Sequence, residues 1–232
     1  MRDRIRAFAL FALGASGCAP PFQSRLPDVQ IAPARMVVLP ATVKVYEVDM
    51  NDDRTEVPDK TDAVRDNVDA AVRAQAAARG LRVFARELDG QDQMTKSLFG
   101  RLWRWSAKTS LEIAAQQTGR RDFGRRSVGD WRFPGNVAPL GTALQGDTAL
   151  TIFVSDTGQS IGRSIVSGMA GGYMYWKKIG VACLVSLRDG RMLRCETKVD
   201  AWGDLKDPRI ASAAVGELFA GLADAAPNHG TK

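Results

Sequence analysis

Thr148-Ala149-Leu150-Thr151-Ile152-Phe153-Val154 is an unbroken apolar and β-branched run between Gly146 and Asp156. Its length and composition predict a strand, which with the helix before it reads as an α-β unit. Upstream, Met36-Val37-Val38-Leu39 is a second buried-strand run, and after Pro40 the stretch from Thr42 to Val48 alternates at period two. One strand bent at Pro40 and two separate strands fit that pattern equally well.

Between these runs the signals are helical. Asn51-Asp52-Asp53 marks a turn, and Thr61 is placed to cap a helix over 62–79 whose Val64, Val68, Ala71, Val72 and Ala76 share one face. Gly80 stands at the position that ends such a helix, and Leu81-Arg82-Val83-Phe84 follows as a short strand. Residues 94–119 read as a helix or helix pair with Leu98, Leu102, Trp105 and Ile113 among the apolar positions, and a short helix through Leu140 and Leu144 stops at Gly146.

Downstream, five glycines and three serines between Asp156 and Gly172 predict a break in regular structure. A strand over 173–187, a turn at Arg188-Asp189-Gly190 and a partner strand over 192–202 form a hairpin, and Asp207-Pro208 opens a last helix as cap and N1 proline. The order β-α-β-α-β-β-β-α predicts the α/β class: a single compact sandwich with a mixed sheet over residues 34–224, then a flexible tail over 225–232.

The N-terminus is of another kind. Arg2, Arg4 and Arg6 precede the apolar run from Ala7 to Leu13, and Gly14-Ala15-Ser16-Gly17 leads to Cys18. A basic segment, a short apolar core and small residues are the marks of an export signal, and seven apolar residues are too few to span a bilayer. Ala15-Ser16-Gly17-Cys18 resembles the lipobox of bacterial lipoproteins, with Ala15 in place of the commoner Leu. That resemblance implies cleavage after residue 17 and acylation of Cys18, with palmitate-type chains holding the protein to the lipid bilayer. Ala19 stands where an Asp would resemble an inner-membrane retention signal, so the outer membrane is expected, on its periplasmic face. Residues 18–33 carry Pro20, Pro21, Pro27 and Pro33 and read as an extended tether.

The charge of the chain is +6, with 32 basic and 26 acidic residues. Residues 1–17 hold three basic and one acidic residue, so the remaining 215 residues carry +4. That balance, in an exported chain, argues against nucleic acid as a partner. Nine basic and three acidic residues fall within 96–132, interleaved with Phe99, Trp103, Trp105, Phe123 and Trp131. Arg101, Trp103, Arg104, Trp105, Arg120, Arg121, Arg125 and Arg126 therefore form a candidate basic and aromatic surface for an anionic lipid, a glycan or an acidic partner; a solvated basic face over a half-buried aromatic stripe is the alternative. Trp103 and Trp105 lie about 200° apart around a helix axis and cannot both face one core.

Other constellations are weaker. Gly158-Gln159-Ser160-Ile161-Gly162-Arg163-Ser164 lacks the ending of a phosphate loop. It reads as an interaction loop with Asp156, Gly158, Gly162 and Arg163 as its key positions. Cys183 and Cys195 form a pair in an exported chain. A three-residue hairpin loop sets them directly opposite for a disulfide, and a two-residue loop sets them on opposite faces. The lone histidine, His229, removes most triads and histidine metal clusters; no catalytic residue, metal site or cofactor is expected. Glu47 with Asp49, and Asp204 with Asp207, read as surface or capping carboxylates.

The lipobox, the strand Met36-Val37-Val38-Leu39-Pro40, the helix and strand after it, and the later strand, hairpin and helix together resemble envelope lipoproteins of the TolB N-terminal and CsgG-like fold group. The stretches Asp147–Asp156 and Trp202–Pro208 are similar to an uncharacterised proteobacterial family within it. The resemblance covers residues 34–224 and implies a non-enzymatic adaptor or assembly component of a cell-envelope complex, with an envelope protein partner and homo-oligomerisation in view. A subunit of a secretion or transport complex is the alternative, and a glycan-acting hydrolase using paired carboxylates the third.

Overall fold

A single long strand organises the computed structural model, which describes residues 36–49, 51, 53–84, 90–117, 127–159, 177–199 and 202–223. In chain order the strands are β1 (Met36–Val38), β2 (Thr42–Val48), β3 (Arg54–Glu56), β4 (Arg82–Val83), β5 (Thr148–Gln159), β6 (Lys177–Ser186) and β7 (Met192–Val199). The helices are α1 (Pro58–Ala77), α2 (Gln93–Gln117), α3 (Ala138–Leu144) and α4 (Pro208–Ala223). On one edge β5 pairs in parallel with β1 near its start and β2 near its end, and on the other it runs antiparallel to β6. Parallel β4 lies beyond β1, antiparallel β3 beyond β2, and β7 beyond β6. The result is a mixed α/β fold, with one mixed sheet of seven strands and four helices among the described residues.

Alternation divides the core in two. Ala149 and Phe153 of β5 join Val181, Cys183 and Val185 of β6 beneath α2 and α3. Leu150, Ile152 and Val154 join Ala182 and Leu184 beneath α1 and α4. Both faces of β5 are thus covered, which is why its sequence is apolar at consecutive positions.

Pro40 breaks the first ladder. Val38 faces Leu150 and Thr42 faces Phe153, so Leu39, Pro40 and Ala41 stand against only Thr151 and Ile152. This one-residue bulge separates β1 from β2 and reverses which parity faces which helix layer. Val37 and Leu39 pack under α2, whereas Ala41, Val43 and Val45 pack under α1 and α4. Proline has no N–H to give the ladder. The neighbouring polar groups are met from both layers: Ala41 N–H donates to Asp69 Oδ1 of α1 at 3.3 Å, and Trp103 Nε1 of α2 donates to the Pro40 carbonyl at 3.1 Å.

The helix ends differ from the sequence reading in instructive ways. α1 begins at Pro58, four residues before the expected start, with no side-chain cap. Thr61 is buried, and its Oγ1 accepts the Val45 N–H at 3.1 Å instead of capping α1. Residues 93–117 form one helix, capped by Asp92, which accepts both the Thr95 N–H (2.8 Å) and hydroxyl (3.0 Å). α1 closes as expected: Leu81 N–H reaches the Ala76 carbonyl across Gly80, whose φ of +65° suits glycine. At α4, Asp207 Oδ1 accepts the Arg209 N–H at 2.8 Å, and the Arg209 guanidinium and N–H hold the Asp207 carboxyl down at about 2.

The β6–β7 hairpin resolves the cysteine question by a route that neither loop length anticipates. Ser186 N–H donates to the Arg191 carbonyl around a four-residue turn, Leu187 to Gly190. A bulge near Leu193 then shifts the register back, so that Cys183 stands opposite Cys195, Cα–Cα 4.2 Å, with the sulfurs joined in a disulfide. Both cysteines lie in the core beneath α2.

Candidate functional site

The carboxyl ends of β2 and β5 converge at one end of the sheet, where ligands of open α/β folds commonly sit. On the α1/α4 face the apolar row of β5 stops at Val154, and the next residue on that face is Asp156. The register sets Asp156 beside Val45 of β2 and opposite Lys178 of β6. Both charged residues are more than nine-tenths buried, at 7% and 8% exposure. The Lys178 ammonium lies 3.7 Å from Asp156 Oδ2 and also donates to the Gly203 carbonyl. Asp156 Oδ1 is buried with no hydrogen-bond partner among the described residues. Burial pushes the Asp156 carboxyl above its ordinary value of 3.8; the Lys178 charge opposes that rise and the Asp204 charge adds to it.

Two elements wall this pair. At the start of α1, Lys60 forms an ion pair with Glu47 of β2. On the other side the segment 202–206 folds back over the sheet, anchored by the fully buried Leu205 and by Asn67 of α1, whose Nδ2 donates to the Lys206 carbonyl at 2.8 Å. Asp204 stiffens the turn by accepting the Lys206 N–H at 3.0 Å. Trp202 lies against Gly180 of β6, where a Cβ would fall 1.9 Å from the indole, and its Nε1 donates to Glu217 Oε2 of α4 at 3.2 Å. Glycine at 180 is therefore what lets the ring rest on the strand. Together these residues enclose a cleft of about 410 Å³, within the size range of small-molecule sites.

The structure redistributes the sequence-predicted positions. Asp156 and Gly158 are not loop residues but members of β5: Asp156 is paired with both β2 and β6, and Gly158 with Glu47 of β2. The glycine count outweighed the β-branched Thr157 in the sequence reading, whereas two flanking strands fix the segment as extended. Gly162 and Arg163 lie outside the described residues, as do Cys18 and Arg120, Arg121, Arg125 and Arg126. Arg101 and Arg104 are exposed on α2, and Arg101 sits 5.5 Å over the Phe133 ring. Neither tryptophan of that surface stands free. Trp103 is half-buried at the Pro40 bulge, and Trp105 meets Phe133 edge to face at 5.7 Å. Lys178 and Trp202 were missed as site residues because their register depends on a long connection between β5 and β6. The visible signal was parity: Asp156 shares its face with Leu150, Ile152 and Val154.

The carboxylates considered as pairs have separate tasks. Glu47 is held by Lys60, Asp49 accepts the Asn51 and Asp53 N–H groups of a turn, and Asp207 caps α4. Among the described residues, no helix is long and apolar enough to cross a membrane, and no three His, Cys, Asp or Glu side chains are grouped to hold a metal ion.

No protein-family model matches the chain. No curated protein matches it either. Among solved structures it is similar to lipoprotein GNA1162 from Neisseria meningitidis, at 16% identity and a TM-score of 0.32, over 86% of this chain and 100% of that one. It is similar also to the LpoB C-terminal domain from Salmonella enterica, at 9% identity and a TM-score of 0.29, over 73% and 84% of the two chains. A Xanthomonas campestris protein of family DUF330 shares 11% identity at a TM-score of 0.27, over 88% and 95%. Bacterial lipoproteins thus stand among the structural neighbours. With every TM-score below 0.5, no argument about function rests on them.

Proposed function

We propose that the protein is a lipoprotein, anchored to the outer membrane through acylated Cys18 and facing the periplasm, that acts as a non-enzymatic adaptor or assembly component of a cell-envelope complex. The observation that carries this reading is the buried Cys183–Cys195 disulfide. Structural disulfides persist in oxidising compartments and are rare in the cytosol, so the bond supports export independently of the N-terminal signal. The lipobox supplies the anchor and the Pro-rich residues 18–33 the tether. Arg101 and Arg104 contribute exposed positive charge, while Trp103 and Trp105 are engaged by the fold, which favours an electrostatic docking surface over one that inserts indoles into lipid.

Cys18→Ala tests the anchor: the variant moves from the membrane to the soluble fraction, and unchanged fractionation rejects it. Charge reversal of Arg101, Arg104, Arg120, Arg121, Arg125 and Arg126 tests the docking surface. It weakens cross-linking to the envelope partner captured by the unaltered protein, and equal capture rejects the basic segment as the contact.

A further inference from the structure

The cleft beside Asp156 has a charge pattern that selects its occupant. Its lining includes three carboxylates, Glu47, Asp156 and Asp204, and three ammonium groups, Lys60, Lys178 and Lys206. Two internal ion pairs, Glu47–Lys60 and Asp156–Lys178, use four of these six. A cation entering towards Asp156 meets Lys178 on the same carboxylate, with Lys206 near by; an anion entering towards the lysines meets Asp156 and Asp204. Neither ion gains without an opposing charge close at hand. Among the described residues the unmet requirement is a hydrogen bond to Asp156 Oδ1, a buried acceptor that costs free energy while unsatisfied. Beside it lies the half-buried Trp202 indole, held in place by Gly180 and Glu217 and presenting an apolar wall to the cleft.

We propose that this cleft binds an uncharged, polyhydroxylated ligand, an oligosaccharide, with a sugar hydroxyl donating to Asp156 Oδ1 and the C–H face of the ring against Trp202. A hydroxyl donates and accepts, so it serves the carboxylate and the Lys206 ammonium alike without adding net charge. The rigid indole and the fixed 202–206 turn reduce the ordering cost of binding. This site is independent of the adaptor reading: an envelope adaptor that binds no sugar fails the following test and keeps its other role.

The test is calorimetric titration of the full chain, in a detergent without a sugar headgroup, with cellotriose and chitotriose, and with cadaverine and succinate as charged probes. One or both trisaccharides bind saturably with a Kd of about 1 mM or tighter, the weak end of the specific range. Trp202→Ala weakens binding at least about tenfold, the loss expected when an aromatic anchor is removed. Lys206→Ala, on the exposed rim, weakens it severalfold in a chain whose thermal unfolding is unchanged. The proposal is overturned if neither trisaccharide saturates, if cadaverine or succinate binds more tightly than both, or if Trp202→Ala and Lys206→Ala bind the trisaccharides as the unaltered chain does.

Discussion

The α1/α4 face of β5 has two halves that follow the same alternation and obey different rules. Leu150, Ile152 and Val154 are apolar, fully covered and matched across β6 by Leu184 and Ala182. Asp156, next in the row, is also buried but charged, matched by Lys178, and has one carboxylate oxygen without a hydrogen-bond partner among the described residues. The first half resembles any strand under helices. The second places ions where isosteric apolar residues would be no less stable. The apolar row of a strand that runs on to Gln159 gives way to an ion pair beside a cleft, the kind of place where charged groups serve a site more than stability.

That contrast can be broken from either side. Lys178→Met leaves Asp156 buried without its counter-charge, and at pH 7 it should lower unfolding free energy by about 3–5 kcal/mol. Chemical denaturation at pH 7 and at pH 4 measures it, the loss shrinking at pH 4 as Asp156 takes up a proton. Leu150→Ala, six residues away along β5, should cost about 2–4 kcal/mol at both pH values, because only packing is lost. Equal pH dependence in the two variants would remove the distinction between the halves. Replacing the ion pair by Asp156→Leu with Lys178→Met should be neutral or gain up to about 4 kcal/mol, and a double variant less stable than the parent would show the pair to be a structural necessity. The smallest effect belongs to Asp156→Asn. Because the folded carboxyl is held above 3.8, the folded state binds the extra proton. The parent therefore has the full benefit below pH 3.8 and loses it as pH rises through the elevated folded value, so the stability difference between parent and Asp156→Asn must shift in favour of Asn along that span. A flat difference would mean that Asp156 is solvated after all.

What the sequence disclosed, and what it withheld, follows the same physics. Thr148–Val154 announced a strand because its β-branched and aromatic run is local composition, whereas the helices that cover both its faces come from distant parts of the chain. Asp207-Pro208 and Gly80 were legible because caps and positive-φ glycines are local chemistry. The bulges at Pro40 and near Leu193 were not. Pro40 marked a break but not its effect on facing, and nothing marks the extra residue near Leu193, yet each bulge reverses the facing of every residue beyond it. β3, only three residues with no apolar alternation, exists because β2 offers a free edge, not because Arg54-Thr55-Glu56 favours a strand. The site suffered most, since it is assembled from β2, β5, β6, α1 and the turn before α4, five stretches spread between residues 45 and 206.

The Pro40 bulge also dictates an order of events for a chain that is made from its N-terminus. When residue 77 has emerged, Asp69 can already meet the Ala41 N–H, but the Pro40 carbonyl waits for Trp103, and β1 and β2 have no strand between themselves and β6 until residues 148–159 arrive. The first third of the molecule thus holds a central strand pair with its principal neighbour still unmade. It stays incomplete by topology alone, and commits to its final shape only when β5 slots between β1 and β2 on one side and β6 on the other.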